Sequence, residues 1–573
     1  MELFYQGTIY RIKITPESQN LCLRNPSSLL WQSSSPFLLT PEIPGIHLVG
    51  KPRLEIIEKS PSATSWLVST NLAGKATGQI ENRFYLLADR FICYARYFLN
   101  ISHGLRFWNL LTPESKFIPE KIFAYLGKHN AAGTGREFPG NKAEFSTASH
   151  NWTYCPLSPR ILMRKERVTV VIGGTRVAHD YGLELRIDSG KTAFFRFNYG
   201  GENPWLVAAA HPTDSPRLQV LFSHSPDWHQ ANKFFTQMII EDGIISPRRY
   251  RPEEKTWFRP WYCTWGDQML LSRAKLQQDV SQERKYQTVK QILTEDWVVK
   301  TARFIREKKL NIGTIIIDDG WQDYRGDWNL VRKRFPHFRE MVDYLHRLNF
   351  QVVLWWAPFL LEKKAINWKE AKLTSGPDPY GEKVMDYSLP ETRKWLKEKI
   401  RLWFGSGPNG WNIDGLKLDF FVEKVTPSTQ RGDDSWRGEE CCLHQLVKTI
   451  YQQASEYHPC PGILAAPHCP SLLPYLVSVF LEERFDANFE ILKDKPEMVA
   501  SWLPGLAFSP HFTYNPAAIP DYLQFCQQTK AIPQIGVVHG TPQDYFFWRP
   551  EESKTGTKIV SLASLRRLLA HFS

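Results

Sequence analysis

The sequence predicts a multidomain α/β protein, an N-terminal antiparallel β-sandwich followed by a (β/α)8 TIM barrel. Three observations carry that expectation. The chain has 573 residues, more than one hydrophobic core accommodates. Up to about residue 230 it reads as short strands punctuated by Gly, Pro, Asn and Ser. From about 256, short apolar runs alternate with amphipathic stretches, as in a parallel sheet covered by helices.

In the first half, RFYLLADRFICYARYFL (83–99), VTVVIGGTRV (168–177) and LQVLFS (218–223) read as sandwich strands. WHQANKFFTQMII (228–240) reads as a linker helix, and SPRRYRPEEK (246–255), rich in charge and proline, as a boundary. The expected domains are therefore 1–245, sandwich with linker helix, and 256–573, barrel. Eight apolar runs follow: PWYCTW (260–265), GTIIIDDGW (313–321), QVVLWWAP (351–358), DGLKLDFF (414–421), GILAAP (462–467), VSVFLEERF (477–485), LAFSPHF (506–512) and IPQIGVVHG (532–540).

Most of these runs are separated by helical pattern. A long helical segment is expected around 281–308. In HFREMVDYLHRLN, Phe338, Met341, Val342, Leu345 and Leu348 share one face. PETRKWLKEKIRLWF (390–404) carries Pro390 in a favourable first turn. HQLVKTIYQQASEY (444–457) and SLASLRRLLAHF (561–572) complete the set. A barrel of eight such units has its active site at the C-terminal ends of the strands. Asp318, Asp319, Asp419 and Asp486 all stand at or just beyond such ends, so one rim would gather them.

Composition excludes several classes of function. The net charge of +12 comes from 71 basic against 59 acidic residues, and the basic runs are short; a solvated basic surface fits better than nucleic-acid binding. No window approaches 18 uninterrupted apolar residues, so no spanning helix and no membrane partner are expected. Nine cysteines without a CxxC support neither a zinc ribbon nor a thioredoxin motif. With no leader pattern at the start, a reducing cytoplasm is the expected compartment. No cofactor is expected, and no metal, since no ligand spacing is present. The 21 Trp are mostly core, but indole faces also suit sugar rings, so the expected partner is an oligosaccharide or glycoside. A homo-oligomer is compatible with the sequence.

The chemistry centres on KLDFF. Side chains alternate along a strand, so Lys417 and Asp419 point together into the barrel while Leu416 and Leu418 face its helices. A lysine beside an aspartate favours the carboxylate, and an immobilised carboxylate is what a glycosidic nucleophile requires. A structural ion pair capping the barrel is the alternative. Asp486 in LEERFDANFE is the candidate acid/base partner, with Glu482, Glu483 and Glu490 as competitors. Arg484 shares its face and would bind a sugar hydroxyl or pair with one of those glutamates. Asp318 and Asp319 offer paired acceptors for vicinal hydroxyls, with Trp321 as a pocket wall. The simpler reading of that stretch is an Asp-Gly turn with a capping acid.

DDGWQ, the following GDW (326–328), KRFPHFREMVDYLH and the LKLD strand resemble the α-galactosidase clan of glycoside hydrolases, most of all glycoside hydrolase family 36, which includes melibiases and raffinose-synthase-like proteins. The resemblance is strongest over 256–490. It implies a retaining α-galactosidase working by double displacement, with Asp419 as nucleophile and Asp486 as acid/base. It assigns Lys417 to sugar binding, and Asp318 and Asp319 to the terminal hydroxyls of galactose. Trp265 and Trp355 or Trp356 become ring-stacking walls. The sequence departs from the family pattern in having Phe420-Phe421 after the catalytic aspartate. AAPHCP (465–470) stands in place of a glycine-rich loop, giving its work to His468 and Cys469, and RFDAN replaces the usual acid motif. VVLWWAPFL and KLDFF also resemble family 31, which holds α-glucosidases and α-xylosidases. Transglycosylation of the raffinose-synthase kind and a non-catalytic carbohydrate-binding protein are the remaining alternatives.

Overall fold

A computed structural model describes the chain apart from residues 1, 25–27, 44, 101, 106, 126–134, 147–159, 176–180, 200–204, 208–211, 216, 276–280, 367–383, 421–431, 434–435, 437–438, 467–468, 481–494, 511–518, 537, 539–561 and 573. The N-terminal region forms two ten-stranded antiparallel sheets. Alternation decides what each strand buries. In Tyr10–Thr15 the residues Tyr10, Ile12 and Ile14 are buried while Arg11, Lys13 and Thr15 are partly exposed. Tyr10 lies flat on Phe222 of the opposite sheet, ring centroids 4.3 Å apart, inside one core that both sheets share.

Three strands of the second sheet, Arg160–Lys165, Val168–Gly174 and Leu218–Ser223, are buried on both faces, hence their unbroken apolar runs. Their outer residues Leu162, Val171 and Leu221 join Ala231, Phe235 and Ile239 of the helix Trp228–Glu241 in the core that continues into the barrel. Asp227 caps that helix, accepting the Gln230 N–H at 2.7 Å. Buried Arg160 ties sheet, helix and barrel together. It donates to Asn232 and Thr236 at 2.6 and 2.7 Å and lies over the rings of Phe235 and Trp502.

The eight apolar runs become eight parallel strands: β1 (Trp261–Cys263), β2 (Thr314–Ile317), β3 (Gln351–Trp356), β4 (Gly415–Leu418), β5 (Gly462–Ala465), β6 (Ser478–Phe480), β7 (Ala507–Ser509) and β8 (Gln534–Ile535). From β1 to β7 each pairs with the next, and β8 pairs with β1. Between β7 and β8 the Ile532 N–H reaches the Phe508 carbonyl at 2.9 Å, so the barrel nearly closes. Cys263, Ile316, Val353, Leu464 and Phe480 fill the interior, with Trp257 and Trp261 in the same cluster. Trp257 packs so close to Gly462 that a Cβ there would lie 2.3 Å from its ring. Ile315, Ile317, Val352, Leu354, Leu416, Leu418 and Ile463 face the helices instead.

The segment expected as one long helix is two, Gln282–Ile292 and Glu295–Glu307. Thr294 breaks it by capping the second helix, its hydroxyl accepting the Trp297 N–H. A helix at Thr264–Lys275 follows β1 directly, so Thr264 and Trp265 are helical rather than strand. On Phe338–Arg347 the anticipated face of Phe338, Met341, Val342 and Leu345 is buried. Among the described residues, no helix is long and apolar enough to cross a membrane.

Candidate active site

Strand β4 sets the centre of the site. Leu416 and Leu418 pack against the helices, which turns Lys417 inward, where it is 1% exposed. Its ammonium donates to Asp318 Oδ2 at 2.9 Å and lies 3.9 Å from Asp419 Oδ2. The Phe480 ring lies 5.5 Å from the same ammonium. Asp419 stands just past the strand, its N–H bonded to the Trp356 carbonyl at 2.9 Å. The chain then turns sharply through Phe420, at φ 45°, and the Phe420 N–H donates to Asp419 Oδ1 at 2.9 Å. Trp355, in register with Lys417 on β3, donates its indole N–H to Asp419 Oδ2 at 2.8 Å. Two fixed donors thus hold the Asp419 carboxylate, whose side chain is 20% exposed against 5% for Asp318.

Asp318 continues the inward face of β2 set by Ile316. Its Oδ2 is shared by Lys417 and the Cys263 thiol, the latter at 3.1 Å, and its Oδ1 accepts the Asp319 N–H at 2.9 Å. Burial, with the Asp318 charge added to it, pushes the Cys263 thiol well up, so the thiol stays protonated and donates. Thr264 Oγ1 accepts the Asp318 N–H at 2.9 Å, fixing the end of β2 against β1.

Asp319 sits in a neighbouring cluster. Its carboxylate accepts from the Tyr286 hydroxyl, the Gln322 amide and the Arg325 guanidinium, with the Lys290 ammonium 3.7 Å away. Burial pushes this carboxyl up to about 7, against the pull of Lys290 and Gln322. The two aspartates are therefore not an equivalent pair. Asp318 joins Lys417 and Asp419, while Asp319 anchors the loop behind them. Arg325 bridges the two groups, its guanidinium 5.4 Å from the Trp355 ring and 5.9 Å from that of Phe420.

The other anticipated residues divide. Trp265 is half-buried on the helix after β1, edge-on to Tyr286 with ring centroids 6.2 Å apart. Trp321 is not a pocket wall: it is fully buried on the helix side of the barrel, packed against Trp328, Trp403 and Trp411, and donates to the Trp355 carbonyl at 2.9 Å. Gly320, at φ 124°, turns the chain there. Trp356 faces the helices too. Cys469 is likewise removed from the rim. It is buried in the helix-side core, its sulfur 2.7 Å from the Ser471 hydroxyl. Asp486, Arg484 and His468 lie outside the described residues.

Sequence reasoning missed Cys263, Tyr286, Lys290 and Arg325. Cys263 was open to discovery, since it alternates with Trp261 on the inward face of β1. Tyr286 and Lys290 reach Asp319 from a different helix, and no local pattern marks that approach. Among the described residues no group of three or more His, Cys, Asp or Glu is placed to hold a metal.

Comparison with known proteins gives a consistent fold. The AgaA α-galactosidase of glycoside hydrolase family 36 from Geobacillus stearothermophilus superposes with a TM-score of 0.61 at 12% identity, over 100% of this chain and 86% of that one. The chain has the fold of the family 36 α-galactosidases. The α-galactosidase from Lactobacillus brevis shares it, with a TM-score of 0.58 at 11% identity, over 100% of this chain and 83% of that one. In sequence, the α-galactosidase Mel36A of Lactobacillus acidophilus is 30% identical over 198 residues. That match spans 29% of this chain and only 27% of the relative. The family model of the glycosyl hydrolases family 31 TIM-barrel domain matches residues 275–460, which include β2 to β4 and their carboxylates. The sequence is thus similar to both glycoside hydrolase families, and the fold is that of family 36.

Proposed function

We propose that the protein is a retaining α-glycosidase that removes terminal α-linked galactose by double displacement. The observation that carries this reading is the Asp419 carboxylate, fixed at the end of β4 by Trp355 and Phe420 and faced by the Lys417 ammonium. A carboxylate so held cannot swing away from an anomeric carbon, and its lone pairs stay aligned for attack. Asp419 would bond to the anomeric carbon as the glycosidic C–O bond breaks. Asp486, beyond the end of β6, would give its proton to the leaving oxygen. Water deprotonated by Asp486 would then release the sugar.

The relatives support a galactoside substrate. Variants of the Geobacillus enzyme are known in complex with raffinose and with stachyose. In this reading Lys417 and Asp318 would meet sugar hydroxyls and Trp265 would flank the ring; the sequence assigns Arg484 and His468 to the same site. Cys22, Cys93, Cys263, Cys460 and Cys526 keep their thiols outside any disulfide, which fits a reducing cytoplasm. A second reading, an α-glucosidase or α-xylosidase of family 31 type, is favoured by the family-model match over 275–460.

Chromophore release from aryl α-galactoside, α-glucoside and α-xyloside separates these readings. The galactoside is expected to be turned over fastest. Asp419→Asn is expected to lose several orders of magnitude, and a trapped fluoroglycosyl adduct should map to Asp419. Equal turnover by Asp419→Asn overturns the proposal.

A further inference from the structure

A cavity of about 640 Å³ opens beside the catalytic rim and is not used by the mechanism above. Its walls come from three segments that follow β1, β2 and β3: the helix Gln282–Ile292, the stretch around 322–334, and residues 362–364. Its volume lies within the ordinary range for small-molecule sites. The chemistry of its lining is uneven. Lys290, Arg334, Lys363 and Lys364 supply four positive charges, and Asp323 and Glu362 two negative ones.

Both acids are already engaged. Asp323 Oδ1 accepts the backbone N–H groups of Tyr324 and Asn329, at 2.6 and 3.2 Å, folding the carboxylate back onto its own loop. Glu362 stands 3.7 Å from Lys290 and 3.9 Å from Arg325, and Lys290 also faces Asp319. Those contacts consume the charge of Glu362 and Lys290 together. Arg334 donates to the carbonyls of Lys290 and Gly320, and no described carboxylate comes within ion-pair distance of it. Lys363 and Lys364 are exposed at the mouth and form no ion pair with another described residue. Among the described residues, Lys363 and Lys364 thus have no acidic partner around this concave space, and Arg334 feels only the more distant charge of Asp319. The rest of the lining suits a polyol: the amides of Gln287 and Gln291 and the half-open ring of Tyr324.

We propose that this cavity binds a sugar phosphate, its phosphate on Arg334, Lys363 and Lys364 and its hydroxyls on Gln287 and Gln291. An ionised phosphate adds ion pairing to the hydrogen bonds that such groups donate, and neutral sugars offer no charge to pair. The site goes beyond the glycosidase reading and stands whether or not that reading holds, because it is read by binding and not by turnover.

The test is titration calorimetry at low ionic strength on the full chain. Galactose 6-phosphate, glucose 6-phosphate, galactose, glucose and inorganic phosphate are the probes. At least one hexose phosphate is expected to bind ten-fold or more tightly than its parent sugar and than inorganic phosphate. The double variant Lys363→Gln/Lys364→Gln, on exposed positions, should lose most of that discrimination while keeping the wild-type melting temperature. Binding of neither hexose phosphate, or discrimination unchanged in the double variant, overturns the proposal. A competition arm locates the source of the phosphate. If 1-deoxygalactonojirimycin and the hexose phosphate bind together, the phosphate belongs to a separate ligand; if they exclude one another, it belongs to the substrate.

Discussion

Trp355 and Asp419 are joined by a single hydrogen bond, indole N–H to Oδ2 at 2.8 Å, between adjacent strands of the barrel. Trp355 is 1% exposed, so this tryptophan acts on the site through its N–H and not through an open ring face. Trp355→Phe keeps most of the packing and removes the donor. A hydrogen bond to a charged group is worth about 1.5–3 kcal/mol, which as lost transition-state alignment is roughly 10–100-fold in kcat. Steady-state kinetics on the aryl glycoside that wild type prefers is the measurement. An unchanged KM with kcat in that range is expected, and unchanged kcat would deny Trp355 a role in holding Asp419.

Among the described residues Lys417 is the one cation in contact with both Asp318 and Asp419, and it is buried. Replacing it by methionine leaves two carboxylates facing each other in a low-dielectric interior. Breaking a buried pair in this way costs about 3–5 kcal/mol. Lys417→Met is expected to be inactive and to melt well below wild type. The double variant Lys417→Met/Asp318→Asn removes the unpaired charge as well, so it should recover a large part of the stability and none of the activity. Denaturant titration of the three proteins gives the comparison. Equal stability of the single and double variants would refute the ion pair.

The barrel was legible because a parallel sheet covered by helices needs strands buried on both faces. Such strands appear as unbroken apolar runs: GTIII, QVVLWW and GILA each became a barrel strand. The two-residue repeat likewise placed Lys417 and Asp419 on the inward side. What could not be read was any feature depending on approach from another element. Asp318 and Asp319 are neighbours in sequence, yet Cys263 and Lys417 claim the first and Tyr286, Gln322 and Arg325 the second. The role given to Trp321 failed for a related reason. The turn at Gly320 decides on which side of the sheet the ring emerges, and here it joins the indoles of Trp328, Trp403 and Trp411. A sequence rich in tryptophan does not disclose which indoles are structural.

Arg160 makes the contact between sandwich and barrel testable. Its guanidinium bonds Asn232 and Thr236, whose side chains in turn bond Ser501, and it lies 4.1 Å from the Trp502 ring. Lysine offers a point charge without the flat, forked donor set that stacks and hydrogen-bonds at once. Arg160→Lys and Arg160→Met should destabilise the chain by about 2 and about 3 kcal/mol respectively, from lost cation–π and charge-assisted contacts. Denaturant melts measure the loss. Variants as stable as wild type would show that the apolar contacts of the helix Trp228–Glu241 suffice to hold the two regions together.

The lower end of the barrel carries the pH dependence. Asp414, at the foot of β4, accepts from His346 at 2.9 Å, His458 at 3.2 Å and the Val352 N–H at 2.7 Å. Burial alone would raise this carboxyl, but the histidine hydrogen bonds hold it below its ordinary value of 3.8. For His346, burial opposes the charge, and the bond to Asp414 outweighs it and raises the imidazole above 6.5. A lowered acid stabilises the fold above its unfolded value and loses that contribution as pH falls through the folded one. A raised histidine does so below 6.5 and loses it as pH rises through its folded value. The clasp is therefore at full strength between about 3.8 and about 6.5 and weakens on either side. His346→Gln keeps a hydrogen-bond donor and removes the charge. The stability difference between wild type and this variant should be greatest near pH 5 to 6 and shrink towards pH 8. Denaturant titrations across that range decide the matter, and a difference independent of pH would mean that His346 remains neutral against Asp414 throughout.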